Sequence, residues 1–415
     1  MLFSLRKLKK QLNQLEELTM QCMKCGICQA VCPLYEKDLL EQSVSRGKIS
    51  LIEALFEGRI DKTDSVIKYL DYCILCGRCK RFCPSSVKTD EIFVKAKSAL
   101  RKVEKLPAYQ RAAMKVAVGH GSIIDGAQPL LSAAIKTLSK KGKDGTVKPL
   151  FLNRYIAPIK SESFISHYRG LNKAKSEKTR VIFYPGCAIN YIYTHWGVAV
   201  VEVLNAYGVS VYVPQKNICC GIPAATMGDD ELYAKMVKKN IEWFNSIKDA
   251  EAVITACPTC QWALSDLGER VTGLRINIPM LDILVYIKEK LNISLKPERN
   301  TKSTLHIPCH YDHSKDSLLE NIIKNELTCD FEPLKNDSCC GFGGTFSLKY
   351  ATDSAQVGSK KVNEIAQKGF KTVYSPCPGC VMQLADLCSR KGLDARVKHP
   401  IETIHENIKK GLSNE

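Results

Sequence analysis

The chain has 415 residues, 45% apolar and 25% charged, which fits a folded protein of two or three domains and excludes a disordered one. No stretch approaches the run of about 18 apolar residues of a membrane span, and no secretory apolar segment follows the basic start M-L-F-S-L-R-K-L-K-K, so a cytoplasmic location is expected. The formal net charge of +17 suits a peripheral position on the inner face of a membrane or an acidic partner. No nucleic acid is expected, because the basic residues are dispersed and no recognition motif accompanies them.

Cysteine dominates the chemistry, with 20 residues. In a long cytoplasmic chain this favours metal over a disulfide framework. Residues 1–100 hold eight cysteines, 101–180 none and 181–415 twelve. The first zone contains C-M-K-C-G-I-C-Q-A-V-C-P (Cys22, Cys25, Cys28, Cys32) and C-I-L-C-G-R-C-K-R-F-C-P (Cys73, Cys76, Cys79, Cys83). Both resemble the C-x2-C-x2-C-x3-C-P run of bacterial two-cluster ferredoxins. That resemblance implies two cubane [4Fe–4S] clusters with crossed fourth ligands. One would take Cys22, Cys25, Cys28 and Cys83; the other Cys73, Cys76, Cys79 and Cys32. Structural zinc is the competing reading. Between the motifs lies S-V-S-R-G-K-I-S-L-I-E-A-L, expected either to start a helix or to dock against a cluster.

Residues 101–180 are expected to be a helical connector, with helices near 107–118 and 129–139 broken by K-K-G-K-D-G-T and K-A-K-S-E-K-T-R. Residues 181–300 and 301–415 repeat each other. Cys219, Cys220, Cys257 and Cys260 recur 120 positions later as Cys339, Cys340, Cys377 and Cys380, and Cys187 matches Cys309 with a shift of two. V-I-F-Y-P-G-C, T-L-H-I-P-C, E-A-V-I-T-A-C and K-T-V-Y-S-P-C each read as a buried strand ending in a cysteine loop. Residues 231–247 and 353–367 read as helices. The expected fold is therefore an α-helical two-cluster ferredoxin module (1–100), the connector, and two similar α/β lobes (181–300 and 301–415) facing a shared cleft.

Five cysteines per repeat exceed the need of a cubane. Adjacent thiolates could instead serve neighbouring irons of a more open cluster. Vicinal disulfides, zinc ligation and buried structural thiols compete with that reading. The glycine after each pair, Gly221 and Gly341, is expected where a cluster or substrate nears the backbone. Cys329 and Cys388 lack repeat partners and read as structural. H-I-P-C-H-Y-D-H places His306, His310 and His313 around Cys309; His310, next to the ligand, is the candidate catalytic residue, as a donor to sulfur or a proton carrier. G-F-G-G at 341–344 does not form a dinucleotide fingerprint.

A ferredoxin module followed by two C…CCG…CxxC repeats resembles the iron–sulfur subunits of glycolate oxidase, lactate utilisation systems and anaerobic glycerol-3-phosphate dehydrogenase. Heterodisulfide reductase subunits share the CCG domain. The S-V-S-R-G-K-I segment is similar to the S-P-R-G-R-I segment of the glycolate oxidase type. The resemblance implies an electron-transfer subunit of a flavin-dependent 2-hydroxy-acid dehydrogenase, passing electrons toward a membrane quinone or cytochrome, with FAD only on the partner flavoprotein. Both repeats keep all five cysteines, as in the catalytic heterodisulfide reductase subunit. That likeness implies two non-cubane [4Fe–4S] clusters and an alternative role in disulfide cleavage.

Overall fold

The computed structural model describes residues 2–119, 121–143, 145–150, 152–297 and 300–413. The repeats build two sheets from the short apolar runs expected to be strands. The first is β3 (Gly170–Asn172), β4 (Thr179–Phe183), β5 (Val209–Val213), β6 (Val253–Thr255) and β7 (Met280–Asp282), in the order β3-β5-β4-β6-β7. All neighbours are parallel except β3, which pairs antiparallel with β5. The second is β8 (Ser303–Leu305), β9 (Thr372–Tyr374) and β10 (Arg396–Lys398), all parallel in the order β10-β9-β8. A parallel bridge from Ser303 to Phe331 stands where β5 would repeat 120 residues later, so the second sheet retains the trace of that strand.

Alternation along β4 divides the interior. Val181 and Phe183 face one core, which is shared with the second repeat; Ile182 and Tyr184 face another, shared with the N-terminal helices. In that second core Leu8, Leu12, Ile49, Ile92 and Val94 of the first hundred residues meet Ala224, Met236 and Leu267 of the first repeat. A smaller cluster joins Leu34, Tyr72 and Ile74 to Phe346 and Val357 of the second repeat. The fully buried Trp196 ties the two repeats together. Its indole Nε1 donates to Glu402 Oε1 at 2.7 Å, an amphipathic ring finding its polar partner.

Residues 101–180 depart from a purely helical connector. Helices Ala108–Gly119 and Gly121–Thr137 are followed by a hairpin of β1 (Ser139–Lys141) and β2 (Val147–Pro149), and β3 edges the first repeat's sheet. Pro129, expected near a helix start, lies inside Gly121–Thr137. The amphipathic helices expected at 231–247 and 353–367 run Asp230–Ser246 and Ala351–Lys368. Among the described residues no helix is long and apolar enough to cross a membrane.

Candidate iron–sulfur sites

The two C-x2-C-x2-C-x3-C-P loops line two adjacent cavities, and their fourth cysteines are exchanged. Cys22, Cys25, Cys28 and Cys83 line one; Cys32, Cys73, Cys76 and Cys79 line the other, and Cys79 borders both. The third cysteine of each motif lies in the first turn of a short helix, Ile27–Val31 or Arg78–Arg81, and the fourth stands just past its end. Gly26 and Gly77 precede those helices at φ +87 and +70, a left-handed turn that a side chain would strain. The donor sets suit [4Fe–4S] clusters. At least four thiols line each cavity, and the Leu75 N–H points at Cys73 Sγ from 3.4 Å. Burial pushes the Cys79 thiol up to about 12, so this position stays protonated until a metal takes the sulfur.

The S-V-S-R-G-K segment begins the helix Ser45–Glu57, as expected, and its residues line both cavities: Ser45 borders each, Arg46 the first and Lys48 the second. Gly47 allows this approach, since a Cβ there would lie 1.9 Å from the Glu41 carbonyl oxygen. Lys48 is buried, its Nζ donating to the carbonyls of Gln42 (2.9 Å) and Ser43 (2.7 Å). Its position beside Cys32 and Cys73 offers a fixed positive charge to an anionic cluster. Sequence reasoning missed Lys48, because a lysine on an amphipathic helix reads as a solvated face. Arg78, inside the second motif, is also buried. It donates to the Val31 carbonyl at 3.1 Å and to the Asp337 carbonyl at 2.9 Å, joining both motifs to the strand of chain before Cys339.

In each repeat the five cysteines come together at the C-terminal ends of the strands. Cys187 follows β4 and Cys257 follows β6; Cys309 follows β8 and Cys377 follows β9. Cys340 Sγ lies 3.2 Å from Cys380 Sγ. Backbone N–H groups of Gly221 and Gly341 reach Cys219 Sγ (3.4 Å) and Cys339 Sγ (3.3 Å). Electrostatic influences run from thiol to thiol. They pass from Cys76 to Cys309 and Cys339, then through Cys340, Cys380 and Cys377. From Cys377 they cross to Cys257 and continue through Cys260, Cys220 and Cys219 to Cys187. The two C-P-x-C loops meet where Thr259 Oγ1 lies 3.8 Å from Cys377 Sγ. Contact with Cys219 holds Cys220 below the ordinary thiol range, and contact with Cys339 does the same for Cys340. Cys329 and Cys388 stand outside both groups, the first exposed and the second buried.

The paired-cysteine glycines meet a backbone requirement. Gly221 and Gly341 both have φ +86. A Cβ would collide with Tyr233 (2.9 Å) at the first and with the Ser354 carbonyl (2.4 Å) at the second, both on the helix packed behind the turn.

The three histidines part company. His310 stacks on Trp262 with ring centroids 4.1 Å apart. Its Nε2 donates to the Leu75 carbonyl at 2.8 Å, which leaves Nδ1 as the acceptor for Thr259 Oγ1 at 3.1 Å. His313 pairs with Asp316 at 2.8 Å and meets Arg81 of the second ferredoxin motif. His306 instead lies with Cys340 and Cys380, their ligand atoms all within 4.8 Å of one another. Tyr184 holds the same place beside Cys220 and Cys260 in the first repeat, its hydroxyl donating to the Ile218 carbonyl at 2.8 Å. One site thus has an imidazole where the other has a phenol.

Residues 181–265 and 303–385 match the cysteine-rich CCG domain, and residues 19–87 match the 4Fe–4S dicluster domain. Lactate utilization protein A of Shouchella clausii is 30% identical over 240 residues, covering 54% of this chain and 94% of that protein. The chain belongs to the CCG-domain family of iron–sulfur subunits. Other relatives match more of its length at lower identity. The probable glycolate oxidase iron–sulfur subunit of Bacillus subtilis is 24% identical, covering 91% of each chain. A subunit of the anaerobic glycerol-3-phosphate dehydrogenase of Escherichia coli is 27% identical, covering 93% of this chain and 98% of that protein. The chain is accordingly an iron–sulfur oxidoreductase subunit whose redox groups are [4Fe–4S] clusters.

Proposed function

We propose that the chain carries electrons between a partner flavoprotein, which holds FAD and oxidises a 2-hydroxy acid of the glycolate or lactate type, and a membrane quinone or cytochrome. Residues 1–100 hold two cubane clusters, on Cys22, Cys25, Cys28 and Cys83 and on Cys73, Cys76, Cys79 and Cys32. Residues 101–180 connect this module to the repeats at 181–300 and 301–415. Each repeat holds a non-cubane [4Fe–4S] cluster on five cysteines: Cys187, Cys219, Cys220, Cys257 and Cys260, then Cys309, Cys339, Cys340, Cys377 and Cys380. When bound, such clusters store and pass single electrons.

The observation that carries this reading is the junction of Leu75, His310 and Thr259, where hydrogen bonds of 2.8 and 3.1 Å join the second ferredoxin motif to the cysteine loops of both repeats. The chain's own groups hold and tune. Cysteines bind, backbone N–H groups at Leu75, Gly221 and Gly341 donate to sulfur, and Lys48 supplies positive charge. His310 is a positioning residue, because both ring nitrogens already have partners and a proton role would require the Thr259 contact to break. The meeting of the two C-P-x-C loops favours one alternative, in which the two repeat sites act together on a disulfide.

The test is reduction of the anaerobically purified chain by its flavoprotein partner with glycolate or lactate, followed by electron paramagnetic resonance. Substrate-dependent reduction supports the proposal. A colourless zinc protein contradicts it, and disulfide reduction by the isolated chain favours the alternative.

A further inference from the structure

One large cleft is not lined by the paired cysteines. Its volume is about 450 Å³, and it opens where the ferredoxin module, the helix Ala108–Gly119 and both repeats meet. Its walls from the repeats are equivalent segments, the helix after each CCG motif. These touch through Thr226 Oγ1 and Thr345 Oγ1 at 2.9 Å. Gly343 of G-F-G-G seals the base: at φ +55 its missing Cβ would come within 2.9 Å of Ile74, between Cys73 and Cys76. The glycine-rich loop thus closes the cleft against the second ferredoxin motif, and Cys73 itself borders the space.

The lining has two parts. Met114, Met227, Phe346 and the small Ala113 and Ala117, one turn apart, make an apolar wall. At the other end three cations converge on one carboxylate. Arg101 Nη2 lies 3.1 Å and Lys97 Nζ 3.9 Å from Asp71 Oδ1, and Lys349 pairs with Asp71 Oδ2. Lys97 and Asp71 are almost fully buried. Its backbone partners fix Lys97, which donates to the carbonyls of Cys73 (3.3 Å) and Thr226 (3.4 Å). Three positive charges against one negative charge, beside an apolar wall, leave a surplus that burial makes costly. A thiolate-bound cluster at Cys73 offsets part of it. Lys349, half exposed at the mouth, keeps donors available to an incoming group.

We infer that this cleft binds an organic anion with an apolar body, its carboxylate, sulfonate or phosphate beside Lys349 and Arg101 and its apolar part against Ala113, Ala117, Met227 and Phe346. Inorganic ions lack the apolar body, and a neutral hydrocarbon leaves the cationic end uncompensated. The inference goes beyond the electron-transfer reading and does not depend on it, since binding is read without turnover.

The test is isothermal titration calorimetry of the cluster-loaded full chain with octanoate, 1-octanol and acetate. Octanoate should bind saturably at one site. Acetate should bind at least about tenfold more weakly, because it has no methylene chain to bury against the apolar wall. Octanol should also bind more weakly, having no charge for the cationic end. Ala117→Phe, on an exposed helix face, should abolish octanoate binding, and Ala113→Leu should weaken it. Lys349→Met should weaken octanoate several-fold and leave octanol unchanged. Octanol binding as tightly as octanoate would overturn the anionic class. Octanoate binding unaltered in both alanine variants, or no saturable binding to the wild type, would overturn the site.

Discussion

His310 Nε2 donates to the backbone carbonyl of Leu75 at 2.8 Å, across the junction between the second repeat and the second ferredoxin motif. Thr259 of the first repeat meets the other ring nitrogen at 3.1 Å, so one imidazole of the second repeat bonds to both other cysteine-bearing parts of the chain. Replacing His310 by Phe keeps the ring against Trp262 but strands the Leu75 carbonyl. The variant should lose about 1–3 kcal/mol of stability, read by denaturant unfolding, and keep its iron. Unchanged stability with lost turnover would make His310 catalytic rather than positioning.

Lys48 places a buried ammonium beside Cys32 and Cys73. Positive charge favours the reduced, more negative state of a cluster. Lys48→Met should therefore lower the midpoint potential of the centre on Cys32, Cys73, Cys76 and Cys79 and leave the centre on Cys22, Cys25, Cys28 and Cys83 nearly unmoved. A redox titration followed by electron paramagnetic resonance separates the two.

His306 and Tyr184 occupy equivalent places beside the two sets of paired cysteines. His306→Phe should change the spectroscopic signature of the second repeat's site alone. An equal change at both sites, or none, would mean the imidazole does not address the sulfurs it faces.

His399 is buried at the start of the C-terminal helix, where its Nδ1 accepts the Ile401 N–H at 3.0 Å. Burial lowers its pKa to about 4, below the ordinary value of 6.5. Between those values the unfolded chain binds a proton that the native chain does not. Native stability should thus fall as pH drops from 6.5 toward 4, by up to about 3 kcal/mol from this residue. His399→Asn, which retains an acceptor for Ile401, should flatten that part of the pH–stability curve.

The cysteine spacing made the ferredoxin motifs, the repeat and the strand-to-cysteine loops legible, because ligand chemistry fixes spacing and buried parallel strands read as apolar runs. It could not reveal how the two repeats face each other. The contact of Thr259 with Cys377 depends on packing between residues 118 positions apart in sequence. Nor could it reveal the buried lysines: Lys48 and Lys97 sit on helices whose patterns suit solvated faces, and only tertiary packing encloses them. The strand β3 was hidden because Gly170–Asn172 is too short and polar to show alternation. The paired-cysteine glycines were legible as glycines with a purpose, but the purpose lies behind the turn, toward Tyr233 and Ser354.

The central claim is that the ferredoxin cysteines and the paired-cysteine repeats form separate cluster sites. The direct measurement is iron content and Mössbauer spectroscopy of the anaerobically purified Cys219→Ala/Cys339→Ala double variant beside the wild type. The account predicts that the two cubane spectra persist, with about eight irons retained, while the signals of both repeat sites disappear. Loss of every signal together, or a spectrum identical to the wild type, would contradict it.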